Sequence, residues 1–293
     1  MARNVTDAAV TLTALTGVEP RDPATNASRG HTGRYQAGLG GSLHGARIGV
    51  WRAGVTGASP EADAVFEAAL ARLRTLGATV VEGADPPGLD AVNQAEFAAL
   101  LCEFKHDVNA YLAARPGRHP GDLTGLITFN EAHAARVLMW FGQEIFQAAN
   151  ETSDQLQDPS CAGPRRTATS GARASLDTTI TRLRLDAVVA ITNGPAWSTD
   201  LVNDDHFLTG SSTPAAVAGY PSVTVPAGYA HGLPIGVSLM STKWREQRLL
   251  QLAAAWERRT HVRVRPRYLP SITDQGSAAP PPPAAPASRP TPC

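Results

Sequence analysis

Lysine is nearly absent from this chain. Only Lys105 and Lys243 stand among its 26 basic residues, and the rest are arginine. Any chemistry that needs an amine base is confined to those two positions. Asp and Glu also number 26, so the formal net charge is zero, and the cationic excess that holds nucleic acid or an anionic membrane is missing. Cysteine is scarce as well. Cys102, Cys161 and Cys293 are odd in number and far apart, so neither a disulfide framework nor a zinc site is expected, and a reducing cytoplasm is the simplest compartment. No apolar run is long enough to span a bilayer. Asp7 and several threonines interrupt the mildly apolar N-terminus, which reads as an amphipathic helix rather than a signal peptide.

Chemical motifs are also missing. The eight histidines include no H-E-x-x-H and no pair at i,i+4, so no metal site is expected. There is no G-x-S-x-G elbow and no Walker loop. Gly38-Leu-Gly-Gly-Ser-Leu43 misses the dinucleotide fingerprint because Leu43 stands where the last glycine belongs, so it reads as a connector.

What is present is an α/β pattern organised around Leu185–Ser241. The run Asp186–Thr192 is β-branched, a Gly/Pro/Asn/Asp loop spans Asn193–Leu208, and apolar runs follow at Ser222–Val225 and Ile235–Met240. Short apolar runs bounded by turn residues read as buried strands. A buried strand ending in a polar loop is where α/β proteins place ligands, so contact with a small molecule is expected near Thr192–Trp197 and Gly210–Thr213.

Upstream, Asn4 caps a helix to about Thr16 with Ala9, Leu12 and Leu15 as its buried stripe. Residues 18–45 read as loop. A strand at Ala46–Trp51, a helix opened by Ser59-Pro60 and stopped at Gly77, and a strand at Ala78–Val81 form a βαβ unit with parallel strands. A long helix, Ala91–Ala114, carries Phe97, Leu101, Phe104, Val108 and Tyr111 on one stripe, with Lys105 at its boundary. Asn130 is expected to cap a helix to Asn150 that turns Val137, Trp140, Phe141 and Ile145 to the core. Asp158–Gly171 reads as loop, Leu176, Ile180 and Leu183 as a short helix, and Leu249, Leu252 and Trp256 as the buried side of a last helix ending in Arg258 and Arg259. The fold class is therefore α/β, a mixed and mostly parallel sheet flanked by helices. Residues 1–270 form the domain, and 271–293, Ala/Pro-rich low complexity from about Ser277, are expected to be disordered.

Candidate chemistry is thin on residues alone. Asp204-Asp205-His206 reads as a solvated loop before it reads as a ligand set. Gly210-Ser-Ser-Thr213 reads as a helix cap, or as backbone N–H groups presented to an anion or an amide oxygen. In Phe129-Asn-Glu-Ala-His133 the acid and the imidazole are two apart and share no helix face. Trp197 and His206 either wall a pocket or cover the core.

Taken in order, however, the motifs resemble the amidase signature family. Met1-Ala-Arg-Asn-Val-Thr-Asp-Ala-Ala9, Asp22-Pro-Ala-Thr25, Leu43–Val50, Glu103–Tyr111, Phe129–His133, Trp140–Phe146, Thr192-Asn-Gly-Pro-Ala-Trp197, Gly210–Gly228 and Gly232–Val237 are similar to successive segments of the family's C-terminal part, most of all in peptide-amidase-type members. The resemblance covers about residues 1–270. It implies hydrolysis of carboxylic amides by a Ser–cis-Ser–Lys triad, without metal or cofactor, on a small-molecule or peptide amide. That triad belongs to segments upstream of the one resembling Met1–Ala9. Lys105 and Lys243 match non-catalytic segments, so no catalytic residue is carried over. The resemblance further implies an incomplete fold that lacks its N-terminal part, as a misplaced start, a truncated gene or a split gene would give. Unpaired sheet edges, uncovered apolar faces, marginal stability and dependence on a missing segment or partner chain are then expected. Asn193, Trp197, His206 and Ser211 are expected to line the substrate pocket. The rival expectations are a non-catalytic binding protein and a subunit completed by a separate chain carrying the triad.

Overall fold

The computed structural model describes residues 1–266 and Tyr268; the expected disordered tail lies outside them. Helix α1 (Val5–Leu15) begins at Asn4, whose side chain accepts from Asp7 N at 2.7 Å. Val5 and Ala9 are buried, but Leu15 points to solvent rather than joining the expected stripe. A 3₁₀ turn at Pro23–Ser28 is the one regular piece in the connector.

Strand β1 (Arg47–Val50), helix α2 (Pro60–Thr75) and strand β2 (Thr79–Val81) form the expected βαβ unit. Ser59 caps α2 by accepting from Ala62 N at 3.3 Å, and Glu61 and Asp63 lie in the first turn where the helix dipole favours them. Strand β1 pairs in parallel with β2 on one side and with β3 (Ala187–Ile191) on the other. All five β3 residues are buried.

The path from β2 to β3 departs from the expected one. Helix α3 (Leu89–Ala113) is followed by α4 (Leu123–Ala132), a four-residue α5 (Ala134–Val137), α6 (Glu144–Asn150) and a long α7 (Pro159–Leu183). Asn130 lies inside α4, whose cap is Asp122, accepting from Gly125 N at 2.7 Å. Asn130 Nδ2 instead donates to Gln143 Oε1 at 3.0 Å. Val137, Trp140, Phe141 and Ile145 are exposed, because α4 and α6 build only a small separate cluster around Leu123, Ile127 and Ala149. Phe97 and Tyr111 of α3 are exposed too. The expected loop at 158–171 is the first half of α7. Pro159 occupies a first-turn position where its missing N–H costs nothing. The interior Pro164 is overridden by close packing on α3, where Gly171 admits Val92. Cys102 and Cys161, expected to be unpaired, form a disulfide across this contact with a Cα–Cα distance of 5.8 Å. Their sequence spacing could not show that α3 and α7 lie side by side.

Helix α8 (Thr213–Ala218) leads into a hairpin of β4 (Ser222–Ala230) and β5 (Leu233–Met240), and α9 (Glu246–Thr260) closes the fold. His231 and Gly232, with φ of 50° and 79°, make the two-residue turn whose twist suits a hairpin. Strand order is β2-β1-β3-β5-β4. Strand β5 is antiparallel to both neighbours, so it alone runs against the others. The sheet is thus mixed and mostly parallel, as expected. Helix α2 packs on β2, β3, β4 and β5, and α3 packs along α7. Gly228 abuts Val65 of α2, and Ala172 and Leu176 of α7 join the core. At the β4 edge, Pro226 presents no N–H, and its carbonyl accepts from Trp256 Nε1 at 2.9 Å.

Candidate functional site

Beyond β3 the chain folds back on itself. Asn193 and Gly210 form an isolated antiparallel bridge, Gly194 N donates to Thr209 O at 3.3 Å, and Ser211 N donates to Thr192 O at 3.1 Å. Gly210 is required here: a Cβ at this position would lie 3.0 Å from Phe207 Cζ and 3.1 Å from Asn193 Oδ1. Gly236 plays the same part in the sheet, where it leaves room for Thr192 and Thr224. Their hydroxyls both meet Ser238 Oγ at 2.9 Å in a row across three strands.

The folded-back segment 207–213, α3 and the turn at Gly54 border an open cleft of about 500 Å³. Phe207, Leu208, Phe97 and Leu100 give it apolar walls, and Asn93, Glu96, Thr209, Ser212 and Thr213 give it polar ones. Asn93, Glu96, Phe97 and Leu100 stand at i, i+3, i+4 and i+7, one face of α3. Burial pushes the Glu96 carboxyl above the usual carboxylate range, against the pull of the Thr213 hydroxyl beside it. A second groove of about 1280 Å³ runs on from Glu96 between α3, α7 and α8. In it Arg165 pairs with Glu103 at 2.5 Å and Arg173 Nε donates to Ala218 O at 2.9 Å.

None of the four residues expected from the sequence is among those lining this cleft. Ser211 is 1% exposed and its hydroxyl meets Thr192 O. Asn193 braces Gly210. Trp197 donates its indole N–H to Asp205 Oδ1 at 3.0 Å and meets Phe207 edge-on at 6.1 Å. His206 is exposed on the loop. The loop itself is where the sequence places a ligand, but the contribution of α3 is hidden in it. Phe97 reads as part of a core stripe, and only its spacing to Asn93 and Glu96 hints at a mixed polar and apolar face. Among the described residues no group of three or more His, Cys, Asp or Glu could hold a metal. Both lysines are engaged elsewhere. Lys105 Nζ donates to Asn150 O and Thr152 O, each at 2.7 Å, and Lys243 Nζ lies 4.9 Å from the Trp244 ring centre.

The fold defines an α/β domain with an open cleft beside the C-terminal end of a central strand. The family model described as Amidase matches residues 1–250, and the chain belongs to that family. It is 29% identical to a probable amidase of Arabidopsis thaliana over 92% of this chain and 49% of that protein. Among solved structures, native peptide amidase from Stenotrophomonas maltophilia superposes with a TM-score of 0.77 at 37% identity, over 90% of this chain and 53% of that chain. A peptide amidase bound to the competitive inhibitor chymostatin gives a TM-score of 0.81 at 38% identity, over 90% and 54%. The chain spans about half the length of the relatives it matches.

Proposed function

We propose that these residues form the substrate-cleft wall of an amide hydrolase acting on a small-molecule or peptide amide. The nucleophile and its amine base come from a part outside them, either continuous with the chain or on a separate polypeptide. The observation that carries this reading is the placement of the two lysines. One is spent on backbone carbonyls and the other sits over an indole, so neither serves as a proton acceptor for a serine pair. Two further features support it. Met139, Trp140, Phe141 and Ile145 are exposed close together in sequence, as on a face that another segment covers. Ser222 and Thr224 stand exposed on edge strand β4, Thr224 at one end of the hydroxyl row. Similarity to peptide amidases supports a peptide amide as the substrate class. The cytoplasmic expectation rests on unpaired cysteines, and the Cys102–Cys161 bridge removes that ground, so no compartment is proposed. Among the described residues no helix is long and apolar enough to cross a membrane.

The test is complementation. The chain alone should release no ammonia from a peptide amide, and co-expression with the N-terminal part of a peptide amidase should restore release. Hydrolysis by the chain alone that survives replacement of both lysines by methionine overturns the proposal.

A further inference from the structure

We propose that Glu96 is the counter-ion for an ammonium group, so that the cavity takes a ligand with an apolar body and a cationic end. If the reading of this cleft as a substrate cleft holds, as this inference assumes, the substrate class narrows to amides carrying a free amine, such as short peptide amides with an unblocked N-terminus. Glu96 is the one charged side chain lining the smaller cleft and also lines the larger groove. Among the described residues it has no ion-pair partner, although three arginines line the groove. Arg165 is held by Glu103, Arg173 by the Ala218 carbonyl, and Arg166 is exposed. A half-buried carboxylate without a neighbouring cation carries a desolvation cost that an incoming ammonium offsets. The walls set the rest of the ligand. Phe97, Leu100, Phe207 and Leu208 offer aromatic and aliphatic surface to an uncharged body, and Asn93, a turn back on the same face of α3, offers one amide. An N-acylated or carboxylate-ended ligand leaves Glu96 unpaired or repelled.

Binding of 4-phenylbutylamine and 4-phenylbutan-1-ol to the full chain near neutral pH, read by ligand-observed NMR, tests this without turnover. The two probes share a body and differ in charge. The amine should bind about tenfold tighter, the value of one charge-assisted hydrogen bond, and added salt should narrow the gap. Glu96→Gln should bring the amine to the level of the alcohol and leave the alcohol unchanged. Equal binding of both probes to the native chain overturns the role of Glu96 while leaving the amide-hydrolase reading intact. The native comparison needs no variant, so a Glu96→Gln chain that fails to fold does not shelter the proposal. Binding of neither probe, with hydrolysis restored on complementation, also overturns it.

Discussion

The Cys102–Cys161 bridge makes the sharpest demand on this fold. Cys102 lies in α3 and Cys161 in the first turn of α7, 59 positions apart in sequence. Between them run α4, α5 and α6, whose apolar core is the small cluster of Leu123, Ile127 and Ala149. Closing a loop of that length removes about 14 cal/mol/K of unfolded-chain entropy, or about 4 kcal/mol at 25 °C. Whole domains are stable by only about 5–15 kcal/mol, so the bridge is a large share of what holds this chain folded. What remains at the junction after reduction is weaker: the Glu103–Arg165 ion pair, the two Lys105 bonds to the 150–152 backbone, and the Gly171–Val92 contact.

Reduction should therefore act in two ways. Urea unfolding of the reduced chain, or of the Cys102→Ala/Cys161→Ala double variant, should show a loss of about 2–4 kcal/mol. Amide exchange in the native buffer should rise first over residues 103–160, while β1, β3 and β5 stay protected because their core is separate. Thiol titration of the purified chain checks the premise directly. Coincident unfolding midpoints with and without reductant, or exchange that rises equally in the sheet, would refute the reasoning.

Two further substitutions probe the sheet. Gly49→Ala in β1 places a Cβ 2.4 Å from Leu185 Cδ1 and 2.5 Å from Ala84 Cβ; a thermal melt should show a loss of about 1–3 kcal/mol, and a neutral result would contradict so close an approach. Asp186 accepts from Arg47 N at 2.9 Å and from Arg248 Nε at 3.0 Å. Burial pushes its carboxyl up, but the Arg248 and Arg47 hydrogen bonds outweigh burial and hold it below the usual range. A depressed folded-state value means that its contribution is present above the unfolded-state value of about 3.9 and is lost as pH falls through the folded one. Asp186→Asn should thus cost about 1–2 kcal/mol in urea unfolding near neutrality and much less in strong acid, and an equal cost at both would show that the charge is irrelevant.

The parts of this fold that were legible are those where local chemistry and tertiary packing agree. Ser59-Pro60 and Gly77 bracket α2, and the strands on either side pair in parallel as the βαβ pattern requires. The illegible parts are those where packing overrides local preference. Pro159, Gly163, Pro164 and Gly171 read as a loop, yet they lie in a 25-residue helix because α3 and a disulfide hold it. Val137, Trp140, Phe141 and Ile145 read as core, since nothing in a single sequence says that a helical segment has too few neighbours to bury them. In α3 the apolar residues lie on several sides, so its period could not reveal which side faced the core and which the cleft.

The cleft shows the same division at closer range. The sequence points to polar and aromatic side chains in the loop, but the backbone there is shaped by what must be absent. Gly210 has no Cβ, so Phe207 and Asn193 can close on it; this turns Phe207 and Leu208 into the cavity and leaves Trp197 behind Phe207 as its support. Ser211 goes inward because its N–H and hydroxyl both extend β3 through Thr192 O. The helix cap read at Gly210–Thr213 is therefore a strand extension followed by α8, and the two alcohols it leaves facing the cavity are Ser212 and Thr213. Asn193 and Ser211 act through the backbone they hold. Their neighbours Gly210 and Ser212, with α3, line the cleft, and the bridge at Cys102 ties α3 to α7.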